Sequence, residues 1–258
     1  ALTALTGRIL YKTANLFLSK GASYIALSLW LFSPLVTMDL LKQTTYDTPL
    51  TLFWALTLYY TVRFLTLKQT KDIYFIGISA GLMMLSKYTG IILIIALLIF
   101  LITTNNMTYR SLYKSYHFYL GLLLAILIFS PVLIWNYQHE WQSFIYQLTT
   151  HELSNTTNPF FNAIKSFFRI FLPALNLMLI PPFVCWLKST TKQNACIRLC
   201  RIVCTVFICF YLFTASHTDI REYWLTPYLI SSALLGGYPL SDCMRLSASL
   251  FLLPTSIH

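Results

Sequence analysis

The chain has 258 residues, 57% of them hydrophobic and only 10% charged, where a soluble domain carries about 25% charged residues; a mean hydropathy of +0.66 completes a composition that excludes a disordered chain and a water-soluble enzyme. Eighteen Lys and Arg against eight Asp and Glu give a net charge of +10. These cations form no single patch, so a nucleic-acid partner is not expected; they punctuate long apolar runs, as positive charge does in a helical membrane protein.

A bilayer core about 30 Å thick takes roughly 20 apolar residues of helix. About eight runs approach that length, in chain order 21–37, 47–66, 73–86, 88–104, 118–135, 168–187, 202–216 and 224–240. The third is short and carries Gly77 and Gly81, which suits close packing on a neighbouring helix. A ninth apolar run, 246–253, is too short to span. The runs are continuous rather than alternating, which argues against strands. The expected fold class is therefore all-α, a polytopic transmembrane helix bundle, and with no internal repeat or linker residues 1–258 form a single integral membrane domain. The chain begins at Ala1 without Met and is read as a piece of a longer one.

Placing the N-terminal segment, with Arg8, Lys12 and Lys20, on one side together with the loops near 63–72, 105–117, 188–201 and 242–245 collects 13 of the 18 basic residues there. By the positive-inside rule that side is cytoplasmic. The opposite, outer face holds six of the eight acids, Asp47, Glu140 and Glu222 among them, and the longest loop, 136–167. Cys196, Cys200 and Cys204 recur every fourth residue and share a helix face; without a fourth ligand at zinc spacing they read as small buried thiols rather than a metal site.

Four outer-face stretches carry candidate chemistry. Asp47 stands in Thr44-Thr45-Tyr46-Asp47-Thr48-Pro49, where Pro49 suits a first helical turn and Asp47 or Thr48 could cap it; a carboxylate at the mouth of a bundle is equally placed to hold a metal or a sugar hydroxyl. Lys87 is the only charge between Ile73 and Thr108. It either snorkels to the interface beside Tyr88 or marks a chain break at which the ammonium and the next helix N-terminus bind a phosphate. The run Ser130 to Phe144 interleaves Trp135, Tyr137, Trp141 and Phe144 with Asn136, Gln138, His139 and Glu140. Aromatic platforms next to planar polar groups suit a carbohydrate, and His139 could bond a phosphate or carry a proton. A fourth stretch, His217 to Pro227, offers Arg221, Glu222 and Trp224, read either as a solvated ion pair or as a fork for phosphate or sugar.

In this order and sidedness the stretches 45–56, 76–89, 130–144 and, more loosely, 219–228 resemble the glycosyltransferase family 39 group of the GT-C superfamily, relatives of dolichyl-phosphate-mannose protein mannosyltransferases and of bacterial aminoarabinose transferases. The resemblance implies a multi-pass enzyme of the bacterial inner (plasma) membrane. Such an enzyme moves a hexosyl or pentosyl group, with inversion, from a polyprenyl-phosphate donor to a lipid, glycan or protein acceptor on the periplasmic face. It implies that Lys87 and Arg221 hold the donor phosphate, that Asp47 orients the acceptor or a possible divalent metal, and that Tyr88, Asn136, His139, Glu140, Trp141, Glu222 and Trp224 line the substrate pocket. Family members place an acidic motif, the assigned catalytic base, in an outer loop ahead of the region matching residues 1–37. No such segment occurs here, so the chain is expected to be a fragment or a truncated product inactive by itself. A secondary transporter or flippase, and a non-catalytic scaffold, are the competing classes; the absence of internal repeats weighs against the former.

Overall fold

The computed structural model describes residues 1–36, 45–104, 109, 111–149, 164, 194–217 and 222–251. Among the described residues every regular element is helical. α1 (Leu2–Asn15) and α2 (Lys20–Leu31) form a hairpin, with the Ser19 hydroxyl capping α2 by accepting from the Ala22 amide at 3.3 Å. Their packing is antiparallel: Gly7 lies against the Trp30 ring, and the Tyr11 and Tyr24 rings are 5.0 Å apart. The segment ahead of the first expected span is thus itself a helix at the depth of that span, and Arg8 lies partway along it rather than level with Lys20. Threonine hid this helix in the sequence. Thr6 and Thr13 donate to the carbonyls of Leu2 and Ile9 at 3.0 and 2.8 Å, so hydroxyls that read as polar are satisfied within their own helix and can be buried.

α3 (Asp47–Leu67) and α4 (Lys71–Ser86) form a second hairpin, turned at Lys68, whose φ of 56° is left-handed. Each step forward along α3 meets a step backward along α4: Asp47 pairs with Lys87, Thr57 bonds Ser79 at 3.0 Å, Tyr60 stacks on Phe75 at 4.8 Å, and Arg63 meets Asp72 at 3.6 Å. The hairpin is closed by an ion pair at each end, with the acid on α3 at one end and on α4 at the other. Thr51, Thr57, Thr61 and Thr66 each donate to the carbonyl four residues back, which satisfies these four hydroxyls where α3 runs through the core.

α5 (Ile91–Thr103) follows after a 3-10 turn, Tyr88–Gly90, and a second such turn, Ser111–Lys114, leads into α6 (Tyr116–Gln138). α6 runs parallel to α4. Tyr74 bonds His117, Gly77 faces Gly121 and Gly81 faces Ala125; a Cβ built on Gly77 would sit 2.0 Å from the Gly121 carbonyl oxygen, so only glycine allows this approach. α7 (Gln142–Thr149) is short. α8 (Ala195–His217) packs on α5 and on α9 (Thr226–Phe251), and α9 returns to α2, where Gly237 approaches the Ala22 carbonyl.

The membrane reading rests on which faces lack partners. Only 6% of the apolar window of α6 is buried, and Leu122, Leu123, Ile126 and Leu127 point outward. Such a face is stable against lipid tails, not water. Among the described residues, Asp47–Leu67, Tyr116–Gln138 and Ala195–Ala215 are long and apolar enough to cross a bilayer. Of the other expected spans, 21–37, 73–86 and 88–104 fall on shorter helices, α2 with 12 residues, α4 with 16 and α5 with 13, while 224–240 falls on α9 with 26, and the run 168–187 lies outside the described residues. α9 continues through Phe251, so the apolar run 246–253 begins inside that helix instead of standing apart from it. The expected long loop, 136–167, opens as helix: α6 reaches Gln138 and α7 follows within four residues.

Candidate functional site

Asp47 opens α3, but it does not cap it. The N-cap is Tyr46, without a side-chain cap bond, and the Asp47 carboxylate turns to the end of α4 instead. There Lys87 terminates α4 in extended backbone and the chain breaks before α5. Asp47 Oδ1 accepts from Lys87 Nζ at 2.7 Å, with the two side chains 2% and 16% exposed. At that burial the charges depend on each other, because an unpaired ion here would face a low dielectric. Asp47 also stands in the first turn of α3, where the helix dipole favours a carboxylate. Its second oxygen, Oδ2, is buried without a hydrogen-bond partner among the described residues.

Two aromatic rings complete the surroundings of the ammonium. Nζ lies 4.8 Å from the Tyr46 ring centroid and 5.6 Å from that of Trp224, distances at which the ring faces attract a cation. Trp224 arrives on the 3-10 turn Glu222–Leu225 just ahead of α9, and Thr226, at the start of α9, is 3.4 Å from the Thr51 hydroxyl. The first, second and last of the motif stretches therefore converge on one end of the α3–α4 hairpin. Glu222 lies in that turn, and Arg221 lies outside the described residues.

The α6–α7 corner is a second group, joined to the first through the neighbours Lys87 and Tyr88. The Tyr88 hydroxyl bonds Ser143 at 2.8 Å, and Ser143 donates to Asn136 Oδ1 at 2.7 Å. Asn136 is fully buried, donates from Nδ2 to the Val132 carbonyl at 2.9 Å, and accepts the Trp141 amide on its own carbonyl at 2.8 Å. Asn136 is thus the hub of the corner. The turn itself is tight: Glu140 and Trp141 adopt φ of 54° and 60°, which non-glycine residues take at a cost of about 1 kcal/mol each. His139 bonds the Trp135 carbonyl at 2.7 Å and stacks on the Trp135 ring at 4.2 Å; its contacts are with its own helix, not with Asp47 or Lys87. Trp135, Tyr137, His139, Glu140 and Trp141 form an exposed rim, while Tyr88 packs under it against Phe144 at 5.0 Å.

Sequence reasoning passed over Tyr46, Ser143 and Thr226 as members of these groups. Tyr46 was legible as the neighbour of Asp47; Ser143 and Thr226 carry no local signal, because a lone hydroxyl in an apolar run gains its meaning from the helix opposite. Among the described residues no three His, Cys, Asp or Glu side chains converge as a metal set. A hard divalent ion takes about six oxygen ligands, and Asp47 offers one uncommitted carboxylate oxygen. The described residues therefore do not make a metal site, and no step is derived through one.

Residues 1–135, just over half of the chain, match the dolichyl-phosphate-mannose-protein mannosyltransferase family. The chain belongs to that family. The match takes in Asp47, Lys87 and Tyr88 and ends immediately before Asn136. In three dimensions this mannosyltransferase-family chain is similar to ArnT from Cupriavidus metallidurans, solved bound to undecaprenyl phosphate, with a TM-score of 0.66 at 15% sequence identity. The likeness covers 97% of this chain and 48% of that one, so the chain spans about half the length of ArnT. At that identity the likeness concerns the fold, and it bears out the all-α, GT-C-like membrane architecture. No curated protein matches the chain.

Proposed function

We propose that the chain serves in a membrane glycosyltransferase that takes a sugar from a polyprenyl-phosphate donor and passes it, with inversion, to an acceptor at the periplasmic face. The observation that carries this reading is the Lys87 ammonium held between the buried Asp47 carboxylate and two ring faces, at a chain break inside the family-matched region. The similarity to ArnT bound to undecaprenyl phosphate supports a lipid-linked donor.

The chemistry follows from charge. As the acceptor oxygen bonds the anomeric carbon, the bond from that carbon to the phosphate oxygen breaks, the leaving polyprenyl phosphate carries the electron pair, and the acceptor's proton passes by way of solvent to the released phosphate. A cation positioned at that oxygen stabilises the developing charge. An ammonium has three N–H donors, so Lys87 can meet a phosphate oxygen while still facing Asp47. Arg221, on the approach to Trp224, adds a second cation, and Asp47 Oδ2 orients the acceptor hydroxyl. The exposed rim of Trp141, His139 and Glu140, with Glu222 and Trp224, receives the sugar rings. Tyr88 and Asn136 act by holding the α6–α7 corner that presents this rim.

Two measurements test the reading. A photoactivatable polyprenyl phosphate added to the purified chain in nanodiscs is expected to crosslink near positions 46, 87 and 224 and to be displaced by unlabelled polyprenyl phosphate but not by polyprenol; crosslinks spread evenly along the lipid-facing helices would remove the phosphate site. A cysteine introduced at position 139 is expected to react with an impermeant maleimide added outside spheroplasts, and one at position 114 only after permeabilisation. The reverse pattern would place the site on the cytoplasmic face.

A further inference from the structure

We propose that the groove between α5 and α6 seats one acyl chain of an anionic phospholipid, drawn from the leaflet that meets Lys71 and Lys114. This goes beyond the transferase reading and concerns the end of the bundle away from Asp47 and Lys87. α5 packs on α8 whereas α6 packs on α4, and the gap left between them encloses about 170 Å³. Its floor is made of small residues, Gly77 and Ala80 on α4, and its walls of Leu97 and Leu98 on α5 and Leu122 and Ala125 on α6. Leu98 and Leu122 are nearly half exposed on the outer surface of the bundle, so the groove opens sideways to the bilayer. Its lining is almost wholly apolar. Water there would find too few hydrogen-bond partners to be stable, and a hydrocarbon chain would not.

Charge at the rim selects the head group. α4 and α6 run in parallel register through the Tyr74–His117 bond and the Gly77–Gly121 contact. Lys71 opens α4 and Lys114 closes the 3-10 turn that leads into α6, so both exposed lysines flank this end of the two helices. Among the described residues near this rim, Arg63 faces the buried Asp72, and Lys68 lies 3.6 Å from the centre of the Tyr109 ring. Tyr109 in turn donates to the Leu65 carbonyl at 3.2 Å. An anionic head group at Lys71 and Lys114 meets complementary charge and leaves its chain pointing along the groove. From Ile73 to Ala80 the floor runs about 10 Å, within the roughly 15 Å depth of one leaflet, and it stops about 10 Å short of the level of Lys87. A donor lipid whose phosphate sits at Lys87 would enter from the opposite end.

The test is native mass spectrometry of the purified 258-residue chain released from vesicles of equal phosphatidylglycerol and phosphatidylethanolamine. Phosphatidylglycerol is expected to be retained at least ten-fold over phosphatidylethanolamine, and the Lys71→Gln, Lys114→Gln double variant to bring that ratio within two-fold. Leu98→Trp and, independently, Leu122→Trp are expected to lower retained lipid of both classes several-fold, with the helical circular dichroism of each variant checked first. Equal retention of the two lipids, or an unchanged ratio in the double variant, would overturn the proposal. So would one-for-one displacement of phosphatidylglycerol by added polyprenyl phosphate, which would assign the groove to the donor's tail.

Discussion

Replacing Lys87 with Met is expected to destabilise the chain by about 3 kcal/mol and to lower retention of polyprenyl phosphate, and any sugar transfer that depends on it, by about 100-fold. The first effect arises because Asp47, 2% exposed, loses its counterion; removing one partner of a buried pair costs about 3–5 kcal/mol, and the 16% exposure of Lys87 places this case at the low end. The second arises because one positioned group acting on developing charge is worth about 10² to 10³ in rate. A double variant, Lys87→Met with Asp47→Leu, separates the two. Replacing both charges by apolar groups of similar size is close to neutral for folding, so thermal stability is expected to return while donor retention stays low. Recovery of both in the double variant would reduce the pair to a clasp between α3 and α4 and end the case for a phosphate site at Lys87. Lys87→Arg, which keeps the charge but spreads it over a plane, is expected to preserve stability better than retention.

Gly77→Ala is expected to be more damaging than its size suggests. A Cβ at that position would lie 2.0 Å from the Gly121 carbonyl oxygen, backbone that cannot rotate away, so α4 and α6 must separate along their whole contact. Overpacking of a rigid core typically costs 1–3 kcal/mol, and because Gly81 against Ala125 and Gly121 against Ile73 move with it, about 3 kcal/mol or more is expected. Gly90→Ala is the control. There the new methyl would meet Met83 Cγ at 2.9 Å, part of a flexible side chain that can shift. In detergent, the thermal midpoint is expected to fall far more for Gly77→Ala than for Gly90→Ala. Equal midpoints would mean that the α4–α6 approach is looser than the structure shows.

Much of the candidate site was visible along the chain and the rest was not, for a physical reason that differs from residue to residue. Asp47 and Lys87 stood out because a charge inside an apolar run must have a partner or a purpose. That they are each other's partner depends on the antiparallel register of α3 and α4, which no local pattern encodes. His139 stood out for its aromatic neighbours, yet the ring turns back onto Trp135, because the corner at Glu140 and Trp141 ends α6 just beyond it. Asn136 was read as a substrate contact; a buried amide must be satisfied, and here Ser143 and Val132 satisfy it. α1 escaped notice because three of its seven buried residues are threonines, and a hydropathy scale cannot see a hydroxyl bonded to its own backbone.

Composition and apolar run length were enough by themselves to make this a helical membrane protein, since hydrocarbon admits only backbone whose hydrogen bonds close within the segment or in a sealed barrel. The isolated charges were enough to nominate an outer mouth. What waited on the tertiary structure was everything set by contact between helices: which acid meets which base, which glycines let two backbones touch, and where the bundle leaves a groove open to lipid. Those depend on register and side-chain shape across segments distant in the chain, and such pairings are decided only when the helices pack.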